Sequence, residues 1–172
     1  LACFTREPVY PKEFGAKVFK ISRDAQGARL TWLKVTGGAL RVKAPLTYRA
    51  QNQDYNEKAD QLRLYSGVKF RALEEAVTGL SHSYVGLGLG AEAEASAPLL
   101  QPVLTYQLIL PDGADAHSAL IKLRELEEED PMLRIVLDER YGQIHVQLMG
   151  KIQLEILRRR ILDRFGLDVT FG

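Results

Sequence analysis

Two hydrophobic rhythms divide the chain. Up to about residue 73, apolar residues recur in short period-two runs: "AKVFKIS", "ARLTWLKVT", "ALRVK", "PLTY", "QLRLYSG" and "VKFRAL". Alternation of this kind turns one side of a strand to a core and the other to water. Gly37-Gly38 and the stretch Asp24 to Gly27 supply turns. No segment here carries helical spacing, so the pattern predicts a small antiparallel β-barrel over residues 14–90. Residues 1–13, with two prolines, read as an entry linker.

The second rhythm starts near residue 101. "PVLTYQLIL" alternates as a strand, and Pro111-Asp112-Gly113 turns the chain. Ala116, Ala119, Leu120, Leu123 and Leu126 then fall on one face of a helix. "MLRIVLD" and "QIHVQLM" are strands joined by "ERYG", with Ile144, Val146 and Leu148 inward and Gln143, His145 and Gln147 outward. "KIQLEILRRRILDRF" is a second helix with Leu154, Leu157, Ile161 and Phe165 on its core side, stopped at Gly166. "LDVTF" is the last strand. The order βαββαβ predicts an α+β ferredoxin-like sandwich over residues 101–172. The Gly/Ala/Pro-rich run of residues 86–102 reads as an interdomain linker, centred on 91–100.

Charge sharpens this division. The net charge is +1, but residues 1–97 hold fourteen Lys/Arg against ten Asp/Glu, and residues 98–172 hold nine against twelve. A modest basic bias in the first half permits contact with RNA phosphates. The single cysteine, Cys3, cannot close an internal disulfide, which fits a reducing, cytoplasmic setting. No run has the length of an apolar membrane span, and no secretory leader is expected.

Candidate chemistry is sparse. Glu127, Glu128, Glu129 and Asp130 crowd the end of the first helix, before Pro131, which cannot continue it. Carboxylates there oppose the helix dipole. Consecutive helical residues fan outward instead of converging on a pocket, so a solvated helix end, partly neutralised by the Arg-rich second helix, outweighs a catalytic dyad. His82, His117 and His145 lack metal-ligand spacing, so no metal site is expected. "YVGLGLG" is neither a P-loop nor a dinucleotide fingerprint. Outward Gln143, His145 and Gln147 stand where an RNA-recognition motif would carry stacking aromatics. Arg160 and Arg164 share a helix flank that could hold a phosphate or pair with the acidic first helix. Arg41 and Lys43, and likewise Lys69 and Arg71, lie two apart on expected strands, so each pair could present a basic face to phosphates.

Several motifs add a resemblance. Glu128-Glu129-Asp130-Pro131 leads into a strand, Asp138-Glu139 with Gly142-Gln143 makes a hairpin, and Gly150 to Ile156 opens a helix. Together they resemble the third domain of the elongation-factor-G group of translational GTPases. "AKVFKI", "ARLTWLKVTGGALR" and "EKADQLRLYSGVKFRALEEA" resemble the second domain of the same group. Gly150-Lys151-Ile152-Gln153-Leu154-Glu155 departs from the usual G-E-L-H-L-E and resembles the tetracycline-resistance ribosomal protection proteins. A second departure follows Ala76: the group's A-G-D strand is missing before Val77-Thr78-Gly79-Leu80.

The resemblance implies a second-and-third-domain fragment of a GTPase whose GTP and Mg²⁺ sites lie elsewhere, because no P-loop or base-recognition Asn-Lys-x-Asp motif occurs in these residues. The fragment itself is expected not to be an enzyme and to hold no cofactor. Expected partners are the ribosome, through small-subunit rRNA and protein, and the GTPase and distal domains of the same chain. Neither membrane nor DNA is expected. Arg41, Lys43, Lys69 and Arg71 become candidates for rRNA phosphate contact, Arg160 and Arg164 a secondary basic flank, and Glu128, Glu129, Asp130, Pro131 and Gly150 structural or interdomain residues. The alternative is a free-standing, non-catalytic ribosome- or RNA-binding module.

Overall fold

The computed structural model describes residues 10–66, 69–73, 80–95 and 101–172, and over 64–73 it fixes the backbone only. The chain divides into two compact units, residues 1–97 and 98–172.

In the first unit β1 (Gly15–Arg23) pairs with β2 (Arg29–Gly37), β3 (Pro45–Ala50) with β4 (Gln53–Lys58), and β5 (Leu62–Ser66) with β6 (Lys69–Leu73), all antiparallel. A short β7 (Gly88–Gly90) closes on the other side of β1. Ala16, Val18 and Ile21 of β1 are buried with Leu46, Tyr48 and Ala50 of β3, and with Leu62, Leu80, Leu87 and Leu89. The parity change from Val18 to Ile21 has a cause: the β1–β2 register shifts between Val18 and Lys20, leaving Phe19 as the extra residue of a bulge.

Three expectations are corrected here. "ALRVK" is not a strand. Ala44 N–H donates to the Arg41 carbonyl at 3.2 Å, Lys43 sits at φ 62°, and Arg41–Ala44 is a turn ahead of β3. The mostly polar "QDYNEK" is a strand, β4, although it lacks an apolar alternation. Gln51 and Asn52, both at positive φ, make the two-residue turn whose twist suits a hairpin. Third, the run beginning at Gly86 is not all linker. Gly88–Gly90 is β7, and Ala95 N–H donates to the Gly86 carbonyl at 2.8 Å. The glycines are there for close approach: a Cβ on Gly88 would strike the Glu92 carbonyl, and one on Gly90 the Phe14 carbonyl. The junction at Ala76–Val77, Cys3 and the start of the entry segment lie outside the described residues.

The second unit contains β8 (Leu104–Ile109), α1 (Ala116–Glu129), β9 (Arg134–Asp138), β10 (Gln143–Leu148), α2 (Lys151–Phe165) and β11 (Thr170–Phe171). The sheet order is β11-β8-β10-β9, antiparallel throughout, with β10 inserted between the two strands that α1 connects. This is the βαββαβ sandwich that the rhythm predicts. Asp115 caps α1 by accepting the Ser118 N–H at 2.8 Å, and Gly166 ends α2 in the left-handed region. Leu123 and Leu126 of α1 meet Leu157 and Ile161 of α2 over Ile135, Ile144, Val146 and Leu148. Ala116, expected on the core face, is exposed in the first turn, and the last strand is cut to two residues, with Val169 fully buried just before it. Among the described residues no helix is long and apolar enough to cross a membrane.

Candidate functional site

The acidic run sits where α1 ends, and its carboxylates go separate ways. Glu127 accepts the Ile135 N–H at 3.1 Å with one oxygen and pairs with Arg124 at 2.5 Å with the other. It thereby ties the helix end to the start of β9. Glu129 is only 9% exposed and lies between Arg160 at 2.9 Å and Arg164 at 2.7 Å. Asp130 accepts the Met132 N–H at 2.9 Å and shapes the turn through exposed Pro131. Glu128 is exposed. The dipole conflict is thus offset by two guanidinium groups from α2. Arg160 and Arg164, a candidate phosphate flank, are instead joined to Glu129, and Arg164 also to Glu125 at 3.4 Å. Glu127, Glu129 and Asp130 thus each meet a different set of partners. Among the described residues no group of three or more His, Cys, Asp or Glu is placed to hold a metal ion.

Beside this turn lies an apolar cavity of about 170 Å³, lined by Met132, Leu133, Leu148, Ile156 and Leu157, with Asp130, Gln153 and Arg160 among its polar lining residues. Gln153 reaches back from the first turn of α2 and accepts the Met149 N–H at 2.8 Å. The bond closes on the residue before the N-cap, Gly150, which itself has no side chain to cap the helix. Gly150 has φ −167°, which any residue adopts, and a Cβ there would meet nothing within 4 Å. Neither strain nor packing requires glycine at this position.

The expected basic surface of the first unit is divided. Arg41 and Lys43 are exposed on the turn before β3, so their spacing no longer implies a shared strand face. Lys69 and Arg71 lie in β6, opposite Ser66 and Leu64 in the backbone register.

Two clusters escaped the sequence reading. His82, which in the sequence shows only a lack of metal-ligand spacing, stacks on Tyr55 with ring centroids 4.1 Å apart, and its Nδ1 is 2.6 Å from Glu57. Glu57 also accepts the Ser81 N–H at 2.8 Å. Burial alone would raise the Glu57 carboxyl, but the His82 imidazole and the Ser81 N–H outweigh it and hold the group below its ordinary value. The second cluster covers the outer face of β1 and β2. Lys17 stands opposite Lys34 and Lys20 opposite Trp32, with Phe19 6.4 Å from Trp32. The period-two spacing of Lys34 and Trp32 was visible in the sequence; the bulge that turns Phe19 out was not.

Comparison with known proteins falls on the same landmarks. Residues 100–172, which include the acidic turn and the Gly150-led helix, match the family model described as Elongation Factor G, domain III. The chain is similar to elongation factor G. Elongation factor G 1 of Bdellovibrio bacteriovorus is 29% identical over 91% of this chain and 24% of its own length. Elongation factor G of Aquifex pyrophilus is 26% identical over 97% of this chain and 25% of its own. A solved structure from Thermus thermophilus superposes with a TM-score of 0.72 at 25% identity, covering 94% of this chain and 26% of that one. The elongation factor G likeness therefore extends over both units, and this chain spans about a quarter of the length of these curated relatives.

Proposed function

We propose that these residues are the second and third domains of a ribosome-docking translational GTPase of the elongation factor G type. The observation that carries this reading is the match of residues 100–172 to the third-domain family, with relatives that align over nine-tenths of the chain. In this reading the first unit is the barrel that meets small-subunit rRNA and protein, with Arg41, Lys43, Lys69 and Arg71 on phosphates. The second unit couples the GTPase domain to distal domains, and Glu128, Glu129, Asp130 and Pro131 serve that connection. GTP and Mg²⁺ would be held by a GTPase domain outside these residues, and the protein works in the cytoplasm. Gly150-Lys151-Ile152-Gln153 supports the finer assignment to the tetracycline-resistance ribosomal protection group.

Two experiments test this. The reading frame is extended beyond both ends: a P-loop upstream supports the GTPase, whereas a frame that stops near these residues leaves a free-standing binding module. The chain is then sedimented with small ribosomal subunits from low to high salt. Phosphate-driven docking weakens steeply with salt, and no co-sedimentation at low salt removes the rRNA assignment. For the finer assignment, growth in tetracycline is compared with and without the whole protein, and unchanged growth rejects it.

A further inference from the structure

The outer face of β1 and β2 combines two features that an ordinary solvated strand face does not need. Lys17 and Lys34 are direct cross-strand partners, an arrangement that repels. Glu92, 3.6 Å from Lys17, is the carboxylate beside the pair, and Lys34 acts on it as well. Next along the face, Lys20 Nζ lies 5.3 Å from the centre of the Trp32 ring, and Trp32 Nε1 donates to Ser22 at 2.7 Å, which fixes the indole. Phe19, turned out by the bulge, stands edge-on to that indole and is 54% exposed. The result is a face with three lysines, a fixed indole and an open phenyl ring.

From this geometry we infer that the face binds a single-stranded nucleic acid, with a base stacked on Phe19 and adjoining phosphates at the Lys17–Lys34 pair and Lys20. Rings for bases and cations for the backbone are the combination that sequence-tolerant single-strand binding uses. Protein interfaces are instead depleted in lysine, which disfavours an acidic protein surface as the occupant. Phe19 lies 6.4 Å from Trp32, and along β2 Lys34 is two residues, about 6.6 Å, from Trp32, so the stacking ring and the cations occupy neighbouring positions of one face. The inference rests on the docking reading above only for the biological source of the strand, because the face itself is defined without the ribosome.

The test uses the 172-residue chain and its only tryptophan, Trp32, as reporter. Fluorescence is titrated with single-stranded oligouridylate, with duplex RNA of the same length, and with polyglutamate. Expected is quenching by the single strand. Phe19→Ala weakens binding about tenfold. Lys34→Gln lowers the slope of log affinity against log salt by about 0.7. Lys151→Gln, in the other unit, changes neither. Circular dichroism verifies that the exposed-site variants fold. Quenching by polyglutamate equal to that by oligouridylate overturns the inference in favour of an acidic protein partner. It is equally overturned by no response to the single strand, by tighter binding of the duplex, or by an F19A variant that binds normally. Because no ribosome is present, these failures are separable from a failure of ribosome docking.

Discussion

Glu129 on α1 lies between Arg160 and Arg164 of α2, at 2.9 and 2.7 Å, and is 9% exposed. One carboxylate therefore joins the two helices of the second unit through charge-assisted hydrogen bonds. Replacing Glu129 by Ala leaves two guanidinium groups without this acceptor and is expected to cost about 2 kcal/mol. Urea unfolding of the variant measures it. In a double-mutant cycle with Arg160→Ala the two losses are expected to be less than additive; full additivity shows that the contact contributes no coupling.

Gly150 is the N-cap of α2, yet its backbone conformation and surroundings accept a side chain. Gly150→Ser supplies a side-chain oxygen that can accept a backbone N–H of the first turn of α2, a cap that Gly150 cannot provide. The expected gain is about 0.3 kcal/mol, since serine exceeds glycine only modestly at this position. Thermal unfolding reads the direction: a lower Tm means that glycine serves some contact outside these residues.

Gly90 shows the opposite situation. It sits at φ 62°, and a Cβ would collide with the Phe14 carbonyl. Gly90→Ala is expected to destabilise the first unit by about 2 kcal/mol, through left-handed strain and displacement of β7 from β1. Amide exchange in β1 and β7 locates the damage; unchanged protection there would rule out this account.

Acid should loosen the latch between the β3–β4 hairpin and the loop at Ser81-His82. Glu57 is held below its ordinary carboxyl value in the fold. Its contribution is present above the unfolded-state value and lost as pH falls through the depressed folded value. The chain is thus expected to lose stability from about pH 4.5 downward, and Glu57→Gln to flatten that loss. Parallel pH profiles for the two proteins detect the tilt, and coincident slopes would falsify it.

Much of the second unit was legible from spacing. The 3.6-residue rhythm of Leu123 with Leu126 and of Leu157 with Ile161, and the alternation of Ile144, Val146 and Leu148, reflect local backbone geometry, so each element's buried side follows from sequence. Pro131 and Gly166 punctuate the helices for equally local reasons. The first unit was less legible because its determinants are not local. β4 has few apolar residues and forms by pairing with β3. β7 is a glycine run that becomes a strand only because β1 lies beside it. Arg41–Lys43 has alternating polarity but is held as a turn by a bond from Lys43 N–H to the Ala59 carbonyl, across sixteen positions of sequence.

The division into a strand-rich half and a βαββαβ half, the helix limits, and the likeness to elongation factor G through the Glu128–Pro131 and Gly150–Ile156 motifs are all readable in the residue order. The partners of the charged residues are not readable there, because they follow from packing. Whether Arg160 and Arg164 meet a phosphate or Glu129, and whether Lys17, Lys20 and Lys34 share a face with Phe19, depends on which elements pack together and on one bulge in β1. Periodicity reports burial, which is a one-body property of each residue. Ion pairs and binding faces are relations between residues distant in sequence, and the fold alone brings those within a few ångströms of each other.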